Sequence, residues 1–249
     1  MNPLPRSVLL SAFARCFVIQ SSWNYHTMLG SGFAFALLPV LRHLAPDSDA
    51  LERAVDRHLE LFNAHPYLSG VAVGAVARME AEGTPPEVIR RFKTAVRGPL
   101  GSLGDGLVWA SLVPALTLLA LALLWSGAPA WLAVVVFLLL YNAVHLGLRI
   151  WGFRVGLREG VRVGTAIQSA GLDQWTQRIR SLGTLLLGFL VGLLLTSPDA
   201  LPAGGLGWTG LAGAAFLAGA LLGHRVWRPS AAAVVGVVGI AVVWGMAFG

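Results

Sequence analysis

The chain changes texture near its middle. From residue 107 onward apolar residues come in blocks, 107–125, 130–148, 182–197, 206–223 and 230–248, separated by short polar or basic stretches. A helix of roughly 20 apolar residues crosses a ~30 Å hydrocarbon layer, so these blocks predict five transmembrane helices. The block at 182–197 is the shortest, and as a span it needs little tilt, a thinner bilayer or help from its flanks. Before residue 107 charged amphipathic stretches at 42–60 and 78–97 alternate with apolar stretches at 28–41 and 66–77, which are Gly-rich and bounded by Pro. Apolar stretches that short predict core helices or re-entrant segments, because irregular backbone at membrane depth survives only against protein or a water-filled cavity. Two readings stand for this half: a cytoplasmic helical domain with an ordinary core, or re-entrant pieces beside a substrate pathway. The expected fold class is an all-α integral membrane protein, with an N-terminal cytoplasmic or re-entrant region at 1–106 and a transmembrane region at 107–249.

Composition sharpens this picture. Apolar residues make up 56% of the 249 and charged residues 12%, about half the charged share of a soluble domain, which excludes a disordered chain and a simple soluble enzyme. Cys16 is the one cysteine, so neither an intrachain disulfide nor a cysteine-based zinc site is open to this chain. Lys and Arg number 18 against 12 acidic residues, with 17 of the 18 being Arg and no run of four. That scatter does not make a nucleic-acid-binding arm; in a membrane chain it sets topology. Arg149, Arg154, Arg158, Arg162, Arg178 and Arg180 lie between the second and third blocks, and Arg225 and Arg228 between the fourth and fifth. The positive-inside bias therefore puts residues 1–106 and a helix at 149–181 in the cytoplasm and the C-terminus outside. The N-terminal apolar stretch is broken by Arg15 and makes a poor cleavable signal, so it is read as mature protein. Within 149–181, Gly152, Gly156, Gly160 and Gly164 recur every four residues, predicting a smooth helix face that another backbone approaches closely.

Polar residues in apolar surroundings are the candidates for chemistry, because each is costly there unless paired or solvated. Four clusters qualify. In the first, Gln20, Trp23, Asn24 and Thr27 would share or adjoin one helix face. Amides beside an indole suit a sugar, whose hydroxyls bond to Asn or Gln and whose C–H face stacks on Trp; a polar interfacial belt explains the same residues. The second is Phe62-Asn63-Ala64-His65-Pro66-Tyr67, where Pro66 biases His65 out of helix and the chain turns. The third runs from Arg97 through Gly98, Pro99, Gly101 and Gly104 to Asp105 and Gly106 at the start of a span, which predicts a tight loop or broken helix, with Asp105 either receiving hydroxyls or capping the helix. It lacks the Gly-x4-Gly-Lys pattern of a phosphate loop. The fourth is Asn142, His145 and Arg149 on one face of a span, with Arg149 expected to snorkel to the interface. No pair of histidines has metal-ligand spacing and no nucleophile elbow occurs, so neither a metal, a cofactor nor a catalytic nucleophile is expected.

Taken in order, QSSWNYHTMLGSGFAFALLPVL, ELFNAHPYLSGVAVGAVARMEAEG, VRGPLGSLGDGLVWASLVPAL and YNAVHLGLRIWGFRVGLREG resemble the IID membrane subunit of the mannose/fructose/sorbose family of the bacterial sugar phosphotransferase system. The resemblance covers nearly the whole chain, and the FN-x-HP and GPL-x-x-x-GD elements are its specific marks. It implies a multi-pass subunit of the bacterial cytoplasmic membrane, surrounded by lipid, that joins a IIC partner to conduct a hexose-type sugar, while cytoplasmic IIA and IIB proteins carry the phosphoryl group. It further implies a trimer of IIC–IID heterodimers and no phosphohistidine on this chain. Trp23, Asn24, Asn63, His65, Gly98, Pro99, Gly104 and Asp105 fall on the family's motif positions, with Trp23, Asn24, Asn63, His65 and Asp105 expected to contact sugar.

The sequence departs from that pattern in places. Ala64 stands where Thr is usual, Gly106 where Pro is usual, and Gly101-Ser102 where Ala-Gly is more common. Only TSPDALPAGGLG separates the third and fourth blocks, where the family has a longer outer segment. Two other classes stay open on the residues alone: a self-sufficient transporter or channel, and a membrane enzyme or sensor using His65 or His145.

Overall fold

The computed structural model describes residues 4–196, with side chains through Leu190. The apolar blocks at 206–223 and 230–248 lie outside the described residues, so the count of five spans rests on sequence. The described residues through Gly188 form one compact unit.

Among the described residues the fold is helical, with two isolated β-bridges in loops. Helix α1 (Arg6–Arg15) starts after Pro5 and passes into a 3-10 turn at Cys16–Val18. After an irregular segment come α2 (Gly30–Leu44), which carries Pro39 within it, and α3 (Ser48–Asp56). The Asp47 carboxylate accepts from the Ala50 N–H at 2.7 Å and so caps α3. Helix α4 (Ser69–Ala81) is built largely from Gly, Ala and Val and is buried on nearly every side, since only small side chains let neighbouring backbones come this close.

Helix α5 (Pro86–Gly104) opens with Pro86, where a missing N–H costs nothing, and with Glu87 in its first turn. It does not stop at the Gly/Pro-rich stretch. A π-helical segment, Asp105–Leu112, follows directly and leads into α6 (Val113–Trp125), giving one helical run of 40 residues, about 60 Å long. The loop expected at 97–106 is therefore helix, and the boundary expected at 106 marks a change of composition inside a continuous element. Pro99 withdraws one N–H from the helical ladder and lies within α5 without ending it. At the π segment the Ser111 hydroxyl donates to the Gly106 carbonyl at 2.6 Å and accepts from Arg180 Nε at 3.1 Å, so the widened turn is held by side chains.

A left-handed Gly127 turns the chain into α7 (Ala130–Glu159). The separate helix expected at 149–181 is instead the end of α7, a 3-10 turn at Gly160–Arg162, α8 (Val163–Ser169) and the start of α9 (Leu172–Thr196), with left-handed Gly160 and Gly171 at the joints. The runs Pro86–Trp125 and Ala130–Leu190 are each long and apolar enough to cross a membrane.

Helices α4 and α7 form the tightest contact. A Cβ placed on Gly156 would stand 2.1 Å from the Val71 carbonyl oxygen, and one on Gly152 would stand 2.8 Å from Val71 Cγ2. The four glycines do not make one stripe, however. Gly160 ends α7 against the Arg78 side chain, and Gly164 sits on α8 with open space where its Cβ would be. Arg78 also donates to the Arg158 carbonyl, closing the end of α7.

Candidate functional site

Residues 19–29 form turns, not the helix face expected for Gln20, Asn24 and Thr27. The Asn24 carboxamide is absorbed locally: Oδ1 accepts from the His26 and Thr27 N–H groups at 3.0 and 2.9 Å, and Nδ2 donates to Thr27 Oγ1 at 2.9 Å. This geometry makes Asn24 the organiser of its own loop. Met28 adopts φ 55° inside it. Gln20 and Trp23 are exposed, and Trp23 meets the Tyr25 ring edge-on at 4.8 Å.

This loop pairs with the second cluster. The Leu29 N–H donates to the Phe62 carbonyl at 2.8 Å, the Phe62 N–H donates to the Thr27 carbonyl at 3.2 Å, and the Phe62 ring is buried 4.4 Å from Phe33. Phe62 thereby fixes the backbone of Asn63, whose own side chain is exposed.

The second and third clusters touch directly. A Cβ on Gly104 would stand 2.2 Å from His65 Cβ and 2.3 Å from its Cγ, while one on Gly101, a turn earlier, would stand 3.9 Å from Ala64 Cα. Gly104 is a glycine because the imidazole lies on the helix backbone there. His65 is 1% exposed; its Nδ1 accepts the Tyr67 N–H at 3.2 Å, and its buried Nε2 has no partner among the described residues. With Nδ1 accepting, the neutral ring carries its proton on Nε2. Arg97 Nη1 donates to the Leu61 carbonyl at 3.2 Å, tying α5 to the same loop. Gly98 and Pro99 are exposed on α5. Asp105 is exposed in the π segment, in mid-helix and not at an N-cap.

Behind His65 lies a group that spacing along the chain does not bring together. The Tyr67 ring stacks on His145 at 4.1 Å, meets His65 edge-on at 4.9 Å, and its hydroxyl bonds that of Tyr141. Trp109 packs 5.4 Å from the His65 ring. Arg149 is 5% exposed and so is no snorkelling anchor: Nε donates to His145 Nε2 at 2.7 Å, Nη1 donates to the Cys16 carbonyl at 2.6 Å, and the guanidinium lies over Phe17 and Tyr67. Of the fourth cluster, His145 and Arg149 share this contact; Asn142 bonds the Leu138 carbonyl on the exposed side. Trp109 was legible in principle, four residues after Asp105 on one helix face.

A second polar cluster lies outside the spans. Arg57 and His58 both donate to the Glu80 carboxylate, Arg57 Nη2 at 2.6 Å and His58 Nε2 at 2.9 Å, while Lys93 Nζ donates to the Arg57 carbonyl at 2.8 Å. Burial pushes the His58 imidazole below its ordinary value, so it is neutral and donates to Glu80. Burial also raises the Glu80 carboxyl, but the hydrogen bonds from His58 and Arg57 outweigh it and hold Glu80 below the ordinary carboxylate range.

Residues 4–197 match the family described as the PTS system mannose/fructose/sorbose family IID component. The chain belongs to that family. It is 30% identical over 194 residues to the PTS system mannose-specific EIID component of Escherichia coli K12, an alignment covering 76% of this chain and 68% of that protein. It is 32% identical over 188 residues to the sorbose-specific EIID component of Klebsiella pneumoniae, covering 74% and 68%. A cryo-EM structure of the mannose transporter ManYZ with microcin E492 superposes with a TM-score of 0.59 at 25% identity, covering 97% of this IID chain and 98% of the other. As a IID component this chain is a membrane subunit of a sugar phosphotransferase system, and its long apolar helices are those of a membrane protein.

Proposed function

We propose that this IID chain pairs with a IIC membrane subunit to form the sugar-translocating unit of a mannose-family permease, with uptake coupled to phosphorylation by cytoplasmic IIA and IIB proteins. The assembly is a trimer of IIC–IID heterodimers in the bacterial cytoplasmic membrane. The chain crosses five times, with its N-terminus cytoplasmic and its C-terminus outside; a reporter fused after Gly249 that is active in the cytoplasm would contradict this orientation.

The observation that carries the reading is the junction of the two family motifs. Asn63 and Asp105, an amide and a carboxylate, are exposed and lie within two residues of His65 and Gly104, which meet in close contact. Sugar hydroxyls both donate and accept, so such a pair on rigid backbone gives them fixed partners, and truncating one leaves a hydroxyl unpaired at ~1–3 kcal/mol. Trp23 and Asn24 belong to the neighbouring loop and shape the site's edge, Asn24 through its turn. A reactive role for His65 or His145 has less support: His145 Nε2 is taken by Arg149 and His65 is enclosed.

The test uses the IIC–IID complex in vesicles. Asn63→Ala and Asp105→Ala weaken sugar uptake roughly 5- to 150-fold, following that energy range, while the complex stays assembled with an unchanged melting temperature. A lowered melting temperature with unchanged sugar affinity would assign both residues to structure. Uptake by the purified IID chain alone, without IIC and phosphorylated IIB, would overturn the subunit reading.

A further inference from the structure

We propose that Trp109 is the platform on which the sugar ring stacks, and that His65 and Tyr67 hold it in that pose. This deepens the sugar-translocating role and rests on it. Trp109 lies in the π segment Asp105–Leu112 and is 48% exposed, although its ring meets those of His65 at 5.4 Å and Tyr67 at 6.2 Å, both tilted. With nearly half of the residue open, the indole is accessible to a ligand on its exposed side.

The surroundings of that side decide what it meets. Asp105, four residues earlier on the same helix face, presents an exposed carboxylate. A carboxylate facing hydrocarbon is costly, so the face shared by Asp105 and Trp109 looks onto water or polar protein and not onto lipid tails. The Tyr67 ring 6.2 Å from the indole carries a hydroxyl bonded to that of Tyr141. A carboxylate for hydroxyls and a ring for the C–H face are the two halves of monosaccharide recognition. The backing is stiff as well: Tyr67 stacks on His145, which Arg149 holds, and Gly104 leaves the His65 ring no room to retreat toward the helix. Rigid support of this kind lowers the entropy lost when a ligand settles.

The experiment compares Trp109→Phe, Trp109→Leu and Trp109→Ala in the IIC–IID complex, with radiolabelled D-mannose, D-fructose and L-sorbose as probes in equilibrium binding. The Phe variant retains a ring face and binds within about threefold of the parent, whereas Leu, which keeps apolar bulk on His65, and Ala each lose roughly tenfold or more. Co-purification with IIC and the melting temperature are read on the same samples. Leu binding as tightly as Phe overturns the platform, because bulk then suffices. Loss of IIC from the Leu and Ala variants also overturns it, assigning Trp109 to the subunit interface. If the unaltered complex binds none of the three sugars, the sugar-translocating role itself fails and takes the platform with it, a result recognisable before any variant is made.

Discussion

Replacing Gly104 by alanine adds one methyl group at a point where the structure has no room for it. The new Cβ would stand 2.2 Å from His65 Cβ, where ordinary contact begins at 3.4 Å, and the atom it meets is the root of the side chain and not a movable end. Relief therefore requires the 62–66 loop to lift from α5 or the helix to bend. Overpacking of this kind costs about 1–3 kcal/mol, against which alanine returns ~1 kcal/mol through its better helix propensity. The net loss of stability is modest, ~0–2 kcal/mol, and the complex still forms. The larger effect falls on the site, because His65 supports Trp109 and its loop carries Asn63, so a displacement of about 1 Å reaches several proposed sugar contacts at once and uptake falls roughly tenfold or more. Gly101→Ala is the internal control: its Cβ would meet Ala64 Cα at 3.9 Å, an ordinary contact, and it leaves uptake unchanged with equal or higher thermal stability. Both variants are read by vesicle uptake, by sugar binding and by the melting temperature of the IIC–IID complex. Equal uptake by Gly104→Ala and Gly101→Ala would refute the claim that Gly104 is dictated by the imidazole against it.

The α4–α7 contact gives a second matched pair. Gly156→Ala lowers the stability of the complex by roughly 1–3 kcal/mol because its Cβ collides with the Val71 carbonyl, whereas Gly164→Ala, facing open space, holds or raises the melting temperature. Acid should also weaken the fold. His58 is depressed in the native state, so the stability it contributes is complete above its ordinary value of 6.5 and declines as the pH drops below that. Glu80 is depressed from 4.5, so its contribution is lost at lower pH, and the two effects have the same sign. The melting temperature therefore falls from about pH 7 to about pH 5, and His58→Gln, whose amide can replace the donor to Glu80 without titrating, flattens that fall; an equal slope in both proteins would remove His58 as its cause.

Composition and block length made the membrane class and helical fold legible, because apolar length is a direct response to bilayer thickness. Spacing also picked out His65 and Gly104, but as members of separate clusters: nothing local says that residue 65 lies on residue 104. The stretch from Gly98 to Gly106 misled for a physical reason. Glycine and proline break helices in water, where freed backbone groups are solvated and the unfolded chain gains entropy, whereas here an uninterrupted apolar neighbour and a side-chain bond from Ser111 favour continuing the helix through a π turn. Asn24 misled in the opposite way, since a residue that suits sugar hydroxyls suits an Asx turn equally well. The even spacing of Gly152, Gly156, Gly160 and Gly164 could not reveal that the third is the left-handed end of the helix that the first two occupy.

Arg149 shows why charge at membrane depth is hard to place from sequence. A long cationic side chain near the end of an apolar block can snorkel, and its position alone favours that outcome. Here the guanidinium is enclosed by protein, and among the described residues its contacts are not carboxylates: a backbone carbonyl from Cys16, a ring nitrogen of His145, and the faces of Phe17 and Tyr67 share the charge. The planar fork of arginine is suited to this, because it sends donors in two directions while its faces lie against rings, which an ammonium cannot do. The partners come from different parts of the chain: the turn after α1, the loop before α4, and α7 itself. A single cation thus fastens the N-terminal segment to the membrane helix and steadies the Tyr67 ring that adjoins His65 and Trp109. In this fold the charge the bilayer would exclude becomes a means of fixing the candidate site's geometry, because two of its donors are engaged by protein and its plane lies over two rings.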